Sequence, residues 1–215
     1  MEHKETGVIT RPEDIERESF AILTRELGDF PLPEDEAPVV KRVIHTTADF
    51  EFARTLRFSP NAVRLGIEAL KRGATIVTDT NMALSGVSKP SLAKLGGRAV
   101  CLMADPEVAA LAKERGTTRA IISMEKAASL PGPLIFAVGN APTALIRLHE
   151  LIGEGRVSPA LVIGVPVGFV NVVESKKLFL SSPVPHIIAE GRKGGSTVAA
   201  AICNALLYEA VGRRL

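Results

Sequence analysis

Leu134-Ile135-Phe136-Ala137-Val138-Gly139-Asn140-Ala141-Pro142-Thr143 is the stretch whose reading decides the fold. Its first five residues are apolar with no alternating polar face. Such a run suits a strand covered on both sides, as in a parallel sheet. Gly139 and Pro142 end the run, and Pro142 to Ile152 continues with helical spacing. Four more runs share this character: Ala74 to Thr78, Ala99 to Met103, Leu161 to Val165 and Ile187 to Ala189. Helical segments lie around them: Pro106 to Arg115 (capped by Asp105), Thr118 to Ala128, Val170 to Leu178 and Ser196 to Val211. This alternation implies right-handed βαβ units. The expected fold class is α/β, a three-layer α/β/α sandwich built on a flavodoxin-like five-stranded parallel sheet.

Upstream the pattern changes. Residues up to about Arg72 read as an N-terminal helical extension, and residues 73–215 as the α/β core of one domain spanning 1–215. Thr10 and Glu13 form a capping-box pattern with Pro12 in the first turn, and Leu27-Gly28 supplies a stop. A second helix is expected near Pro38 to His45. A third starts with Ser59 as cap and Pro60 at the first helical position, and ends at Lys71-Arg72-Gly73.

Composition narrows the function. Hydrophobic residues make up 46% of the 215, enough for a packed core. Twenty-six Lys and Arg against 24 Asp and Glu leave a net charge of +2. That balance gives no whole-chain attraction to nucleic acid or to an anionic membrane. With no Trp and one Tyr, a base-stacking platform is not expected either. Cys101 and Cys203 lie far apart in apolar segments and read as two buried, reduced thiols. The start, Met1-Glu2-His3-Lys4-Glu5, lacks a signal-peptide core. The stretch from Ala160 to Val173 is too short and too broken by Gly164, Pro166, Gly168 and Asn171 to span a bilayer. A soluble, cytoplasmic protein is expected.

Open α/β sheets bind ligands beyond the carboxyl ends of their strands. The segments there are Asp79-Thr80-Asn81-Met82, Gly139-Asn140-Ala141-Pro142-Thr143, Pro166-Val167-Gly168 and Gly191-Arg192-Lys193-Gly194-Gly195-Ser196. A single glycine at a strand-to-helix joint is usually a turn residue. Three glycine-bearing loops on one edge, one with Arg192 and Lys193, favour a sizeable anionic ligand. The spacing of Gly191, Gly194 and Gly195 matches neither the dinucleotide fingerprint nor a phosphate loop. No Cys/His spacing suits zinc. No metal site and no cofactor are expected.

Histidine is the natural proton donor near neutral pH. His3 lies in the polar start, His149 within a helix, and His186 at the opposite end of the last strand. His45 falls off the apolar stripe of Val39, Val40, Val43 and Ile44, where Asp49 could orient its ring one turn later. Pattern alone favours a solvated or structural histidine.

Taken together, Gly139 to Leu145, Gly164-Val165-Pro166-Val167-Gly168-Phe169-Val170, Glu174-Ser175-Lys176 and Gly191 to Ser196 closely resemble the precorrin-8X methylmutase family. That family includes the cobalt-precorrin-8 methylmutases. Ile44-His45, Phe58-Ser59-Pro60 and Thr118-Arg119 also fit, so the resemblance runs from about Ser19 to Ala201. It implies a homodimer that binds a small-molecule corrinoid tetrapyrrole. It also implies intramolecular migration of a methyl group from C11 to C12 of precorrin-8X, or its cobalt analogue, giving hydrogenobyrinate or cobyrinate in cobalamin biosynthesis. His45 matches the family's catalytic histidine, Arg119 an arginine on the bound tetrapyrrole, and Ser19 a substrate-contacting serine. Ala120 departs from the small polar residue expected after Arg119. The substrate's many carboxylates suit Arg119, Asn140, Thr143, Gly168, Arg192, Lys193, Gly194, Gly195 and Ser196 as binding residues. Two alternatives are a tetrapyrrole carrier without turnover and an unrelated flavodoxin-like nucleotide or flavin enzyme.

Overall fold

The computed structural model describes residues 9–213, so His3 and the polar start lie outside the described residues. In chain order the elements are α1 (Pro12–Leu27), α2 (Ala37–Thr47), α3 (Phe52–Thr55), β1 (Leu56–Phe58), α4 (Ala62–Lys71) and β2 (Thr75–Thr78). Next come α5 (Asn81–Gly86), α6 (Lys89–Lys94), β3 (Arg98–Cys101), α7 (Pro106–Glu114), α8 (Arg119–Ala127) and β4 (Leu134–Val138). The chain finishes with α9 (Pro142–Gly153), β5 (Leu161–Gly164), α10 (Val172–Leu180), β6 (His186–Ala189) and α11 (Ser196–Ala210).

The six strands run in the order β1-β6-β5-β4-β2-β3. The five expected strands are β2 to β6; they are all parallel and in flavodoxin-like order. The sixth, β1, corrects the expectation of five. It pairs antiparallel with β6, Arg57 facing Ile188. Ser59 belongs to this junction rather than to a helix cap. Its hydroxyl accepts from the His186 N–H at 2.9 Å, and α4 starts only at Ala62, behind Asn61 in a left-handed conformation. The expected Thr10 cap is also absent, because α1 begins after Arg11 with no side-chain cap bond.

Alternation along each strand divides the core. Ile76, Ile135, Ala137, Leu161, Ile163, Ile187 and Ala189 face α2, α4 and α11. Val77, Leu134, Phe136, Val138, Val162 and Ile188 face α8, α9 and α10. Successive side chains of a strand point to opposite faces, so runs that are apolar throughout feed both layers. Leu23, Val39, Val40, Val43 and Ile44 of the N-terminal helices share a core with the sheet and α11. Phe136 is fully buried. Its truncation to alanine would cost about 3–5 kcal/mol. Cys203 is buried as expected, but Cys101 is only half-buried at the end of an outer strand. No described helix is long and apolar enough to cross a membrane.

Candidate functional site

The order in which the chain adds strands reverses between β2 and β4, which puts a crevice at their carboxyl ends. Here that crevice is closed from inside. Asp79, just past β2, is 1% exposed. Its carboxylate accepts from the N–H groups of Gly139 (2.9 Å), Asn140 (2.8 Å) and Ala141 (2.6 Å). Burial pushes the Asp79 carboxyl above its ordinary value, against the downward pull of these three amides. The donors expected for an external anion are thus held by an internal one. Among the residues of this loop singled out from the sequence, the side chains of Asn140 and Thr143 remain.

The last loop is fastened across the same crevice. Thr80 Oγ1 and Ser196 Oγ are 2.8 Å apart, and Thr80 also caps α5. A Cβ on Gly139 would lie 2.8 Å from Gly195 O, and one on Gly194 only 2.0 Å from Val165 O. No other residue fits at either position without moving backbone. The Gly195 N–H donates to Val165 O at 2.8 Å, and the Gly168 N–H to Arg192 O at 3.2 Å. Gly168, Arg192, Lys193, Gly194, Gly195 and Ser196 therefore come together at one rim. The Arg192 guanidinium sits 5.5 Å from the Phe169 ring centroid, and Phe169 is 81% exposed.

Arg119, Asn140 and Thr143 form a second group. Arg119 is exposed at the start of α8. Thr118 caps that helix and meets Thr143 Oγ1 at 3.3 Å, which brings the starts of α8 and α9 side by side. Ala120 is buried against α9 in the core. Its departure from the expected residue type is one of packing.

Ser19 and His45 form the third group. Ser19 is half-buried on α1. The half-buried His45 ring stacks on Phe20, with centroids 4.8 Å apart and planes 16° apart. Arg42, one turn earlier, lies 4.8 Å from the Phe20 centroid and 5.1 Å from that of Tyr208. Its Nη1 donates to Glu16 at 3.0 Å, while Nε and Nη2 have no partner among the described residues. Burial and then the Arg42 charge push the His45 pKa down, with Glu16 opposing them. The expected orientation of His45 by Asp49 is not formed. Helix α2 ends at Thr47, Ala48 turns left-handed, and Asp49 pairs with Lys193 at 2.7 Å. Lys193 also contacts Glu51 at 2.8 Å. This contact links the His45 helix to the glycine-rich rim.

A cleft of about 700 Å³ runs beside α1, lined by Glu13, Glu16, Arg17, Phe20 and Arg213 among others. None of the rim residues borders it. The described residues contain no group of three or more His, Cys, Asp and Glu placed to hold a metal ion.

The sequence reading placed Asp79 and Thr80 in a carboxyl-end loop and Lys176 in a motif of the resemblance, but gave none of the three a role. Their partners lie far along the chain, Asp79 on the amides of 139–141 and Lys176 on the carbonyls of Gly191 and Lys193, and no local signal marks them.

The precorrin-8X methylmutase family model matches residues 14–209. The chain is 47% identical over 196 residues to a cobalt-precorrin-8 methylmutase of Priestia megaterium, covering 91% of this chain and 87% of that one. A cobalt-precorrin-8 methylmutase of Salmonella typhimurium is 46% identical, with 93% and 96% covered. The crystal structure of a Thermus thermophilus precorrin-8X methylmutase superimposes with a TM-score of 0.85 at 44% identity, covering 92% of this chain and 98% of that one. The chain belongs to the precorrin-8X methylmutase family and is an isomerase, an intramolecular methyl transferase of cobalamin biosynthesis.

Proposed function

We propose that the chain moves the C11 methyl group of precorrin-8X, or of its cobalt form, to C12, with His45 as general acid. The observation that carries this reading is the ion pair of Lys193 with Asp49. It ties the end of the helix bearing His45 to the rim bearing Arg192, Gly194 and Ser196. A macrocycle edged with carboxylates can then be gripped at the rim while its conjugated ring meets the imidazole.

The migration breaks one carbon–carbon bond and makes another, so neither nucleophile nor electron carrier is required. Protonation of the conjugated ring lowers the barrier. General acid assistance typically supplies about 10²–10⁴-fold. Since substrate and product are isomers, the proton lent by His45 is returned before the next cycle. Arg119 and Arg192 are suited to carboxylates through paired N–H groups, with Ser19, Asn140, Thr143 and Gly168 as further contacts. The working form is a homodimer in the cytoplasm. Exposed Val167, Phe169 and Val170 on the rim and Ile15 and Ile22 on α1 support a second copy as cover for apolar surface.

Single-turnover absorbance with metal-free and cobalt-containing substrate tests the reaction. Conversion by wild type and its near-complete loss in His45→Ala are expected. Tight binding without conversion would instead identify a tetrapyrrole carrier. Sedimentation equilibrium at micromolar concentration should give twice the chain mass, and a fully active monomer removes the dimer.

A further inference from the structure

Lys176 on α10 is a buried charge that the proposed chemistry does not use. It is 1% exposed and pairs with no carboxylate among the described residues. Its ammonium donates instead to two main-chain carbonyls, Gly191 O at 2.9 Å and Lys193 O at 2.8 Å. Both belong to the glycine-rich rim. Burial draws the Lys176 pKa down to about 8, the mark of a charge held without a compensating anion. A buried charge of this kind is a poor way to stabilise a fold.

The consequence lies in the peptide planes. In a trans peptide the C=O and the following N–H point in opposite directions, and the described residues contain no cis peptide bond. Gly191 O shares its plane with the Arg192 N–H, and Lys193 O shares its plane with the Gly194 N–H. With both oxygens turned inward to Lys176, both N–H groups are turned away from it. Neither has an acceptor among the described residues, whereas the Gly195 N–H is held by Val165 O at 2.8 Å. The approach of Gly194 to Val165 O keeps this stretch pressed on the end of β5.

We infer that Lys176 is a positioning residue for substrate carboxylates. It aims the Arg192 and Gly194 N–H groups outward by holding the carbonyls behind them, and it places a fixed positive charge beneath the pair. A charge inside the protein is screened by salt far less than the surface cations around it. The inference rests on the proposed function for the identity of the ligand, a polycarboxylate tetrapyrrole.

The test uses metal-free product, hydrogenobyrinate, and the full chain. Lys176→Met removes the charge and both donors; Lys176→Gln keeps donor capacity without the charge. The Met variant should bind product about 10- to 100-fold more weakly, as expected for loss of charge-assisted hydrogen bonding. Its single-turnover rate at saturating substrate should stay within about threefold of wild type, since His45 is intact. The Gln variant should fall between. A purely structural strut predicts a lower Tm with no selective loss of affinity, and that outcome overturns the inference. In wild-type protein, product should move the amide resonances of Arg192 and Gly194. A spectrum in which it moves neither overturns the inference with no variant needed. If wild type binds and converts the tetrapyrrole while the Met variant binds it equally well, the inference alone fails. If wild type does neither, the proposed function fails and takes the inference with it.

Discussion

The Lys193 ammonium stands 2.7 Å from Asp49 Oδ2 and 2.8 Å from Glu51 Oε2. Of the two cations that open the last loop, one is thus already neutralised from within. Arg192 makes no ion pair among the described residues and leans on the exposed Phe169 ring. The two neighbours offer a ligand different things: Arg192 a free guanidinium, Lys193 a bridge to the helix of His45.

That difference predicts unequal mutants. Arg192→Ala should weaken product binding clearly, by about 10-fold or more for loss of a charge-assisted contact. Lys193→Ala should change product affinity less, and should slow single turnover by loosening α2 against the rim. Tm should hardly move in either, because exposed charges contribute little to stability. Equal losses of affinity in both variants, measured by absorbance titration, contradict the division of roles.

Asp79 makes a different prediction, about stability. Asp79→Asn keeps the shape but turns an NH₂ group toward amides that need an acceptor. A lost bond to a charged group with its partners left buried costs about 1.5–3 kcal/mol. In a chain of this size that lowers Tm by roughly 3–12 °C. Differential scanning fluorimetry gives the number, and an unchanged Tm would mean that the three amides find other acceptors.

For metals, the expected result is indifference. Exhaustive EDTA dialysis should leave single turnover of the metal-free substrate intact. Activity lost on dialysis and restored only by an added ion would overturn the cofactor-free reading.

Much of the fold is written in local pattern, because strands buried on both faces are apolar at every position and need no partner to be recognised. Edge strand β1 is not written that way. Leu56-Arg57-Phe58 is three residues long with an exposed arginine at its centre, and it exists only because β6 offers a free edge. The site divides similarly. Glycines at the carboxyl ends of strands mark the rim in the sequence. Asp79 meets amides 60 to 62 positions away, and no local pattern encodes that. Asp49 is misleading for a local reason. Four residues from His45 suggests one helical turn, but Ala48 leaves the helix and turns Asp49 to Lys193.

The surroundings of His45 make the final prediction, and its sign is fixed by the chemistry. A general acid works while protonated, so the rate must fall as pH rises through its pKa. In the free protein burial and Arg42 hold that pKa below the ordinary imidazole value of about 6.5. The fall in kcat/KM, which reports the free enzyme, should therefore centre below that value. Bound substrate brings several carboxylates, which favour imidazolium, so the fall in the single-turnover rate should centre higher. Among the described residues, Glu16 is the one anion opposing Arg42 at His45. Glu16→Gln should move the kcat/KM inflection to lower pH, and Arg42→Met should move it to higher pH. His45→Ala should remove the inflection, lower the rate by about 10²-fold or more, and still bind product, because the ring lies outside the apolar core. Nuclear magnetic resonance titration of the His45 ring in the free variants checks the same shifts without substrate. Should Glu16→Gln and Arg42→Met move the inflection the same way, the titrating group is not His45. Should His45→Ala convert substrate at a near wild-type single-turnover rate, catalysis rests on restraint of the macrocycle instead of proton donation.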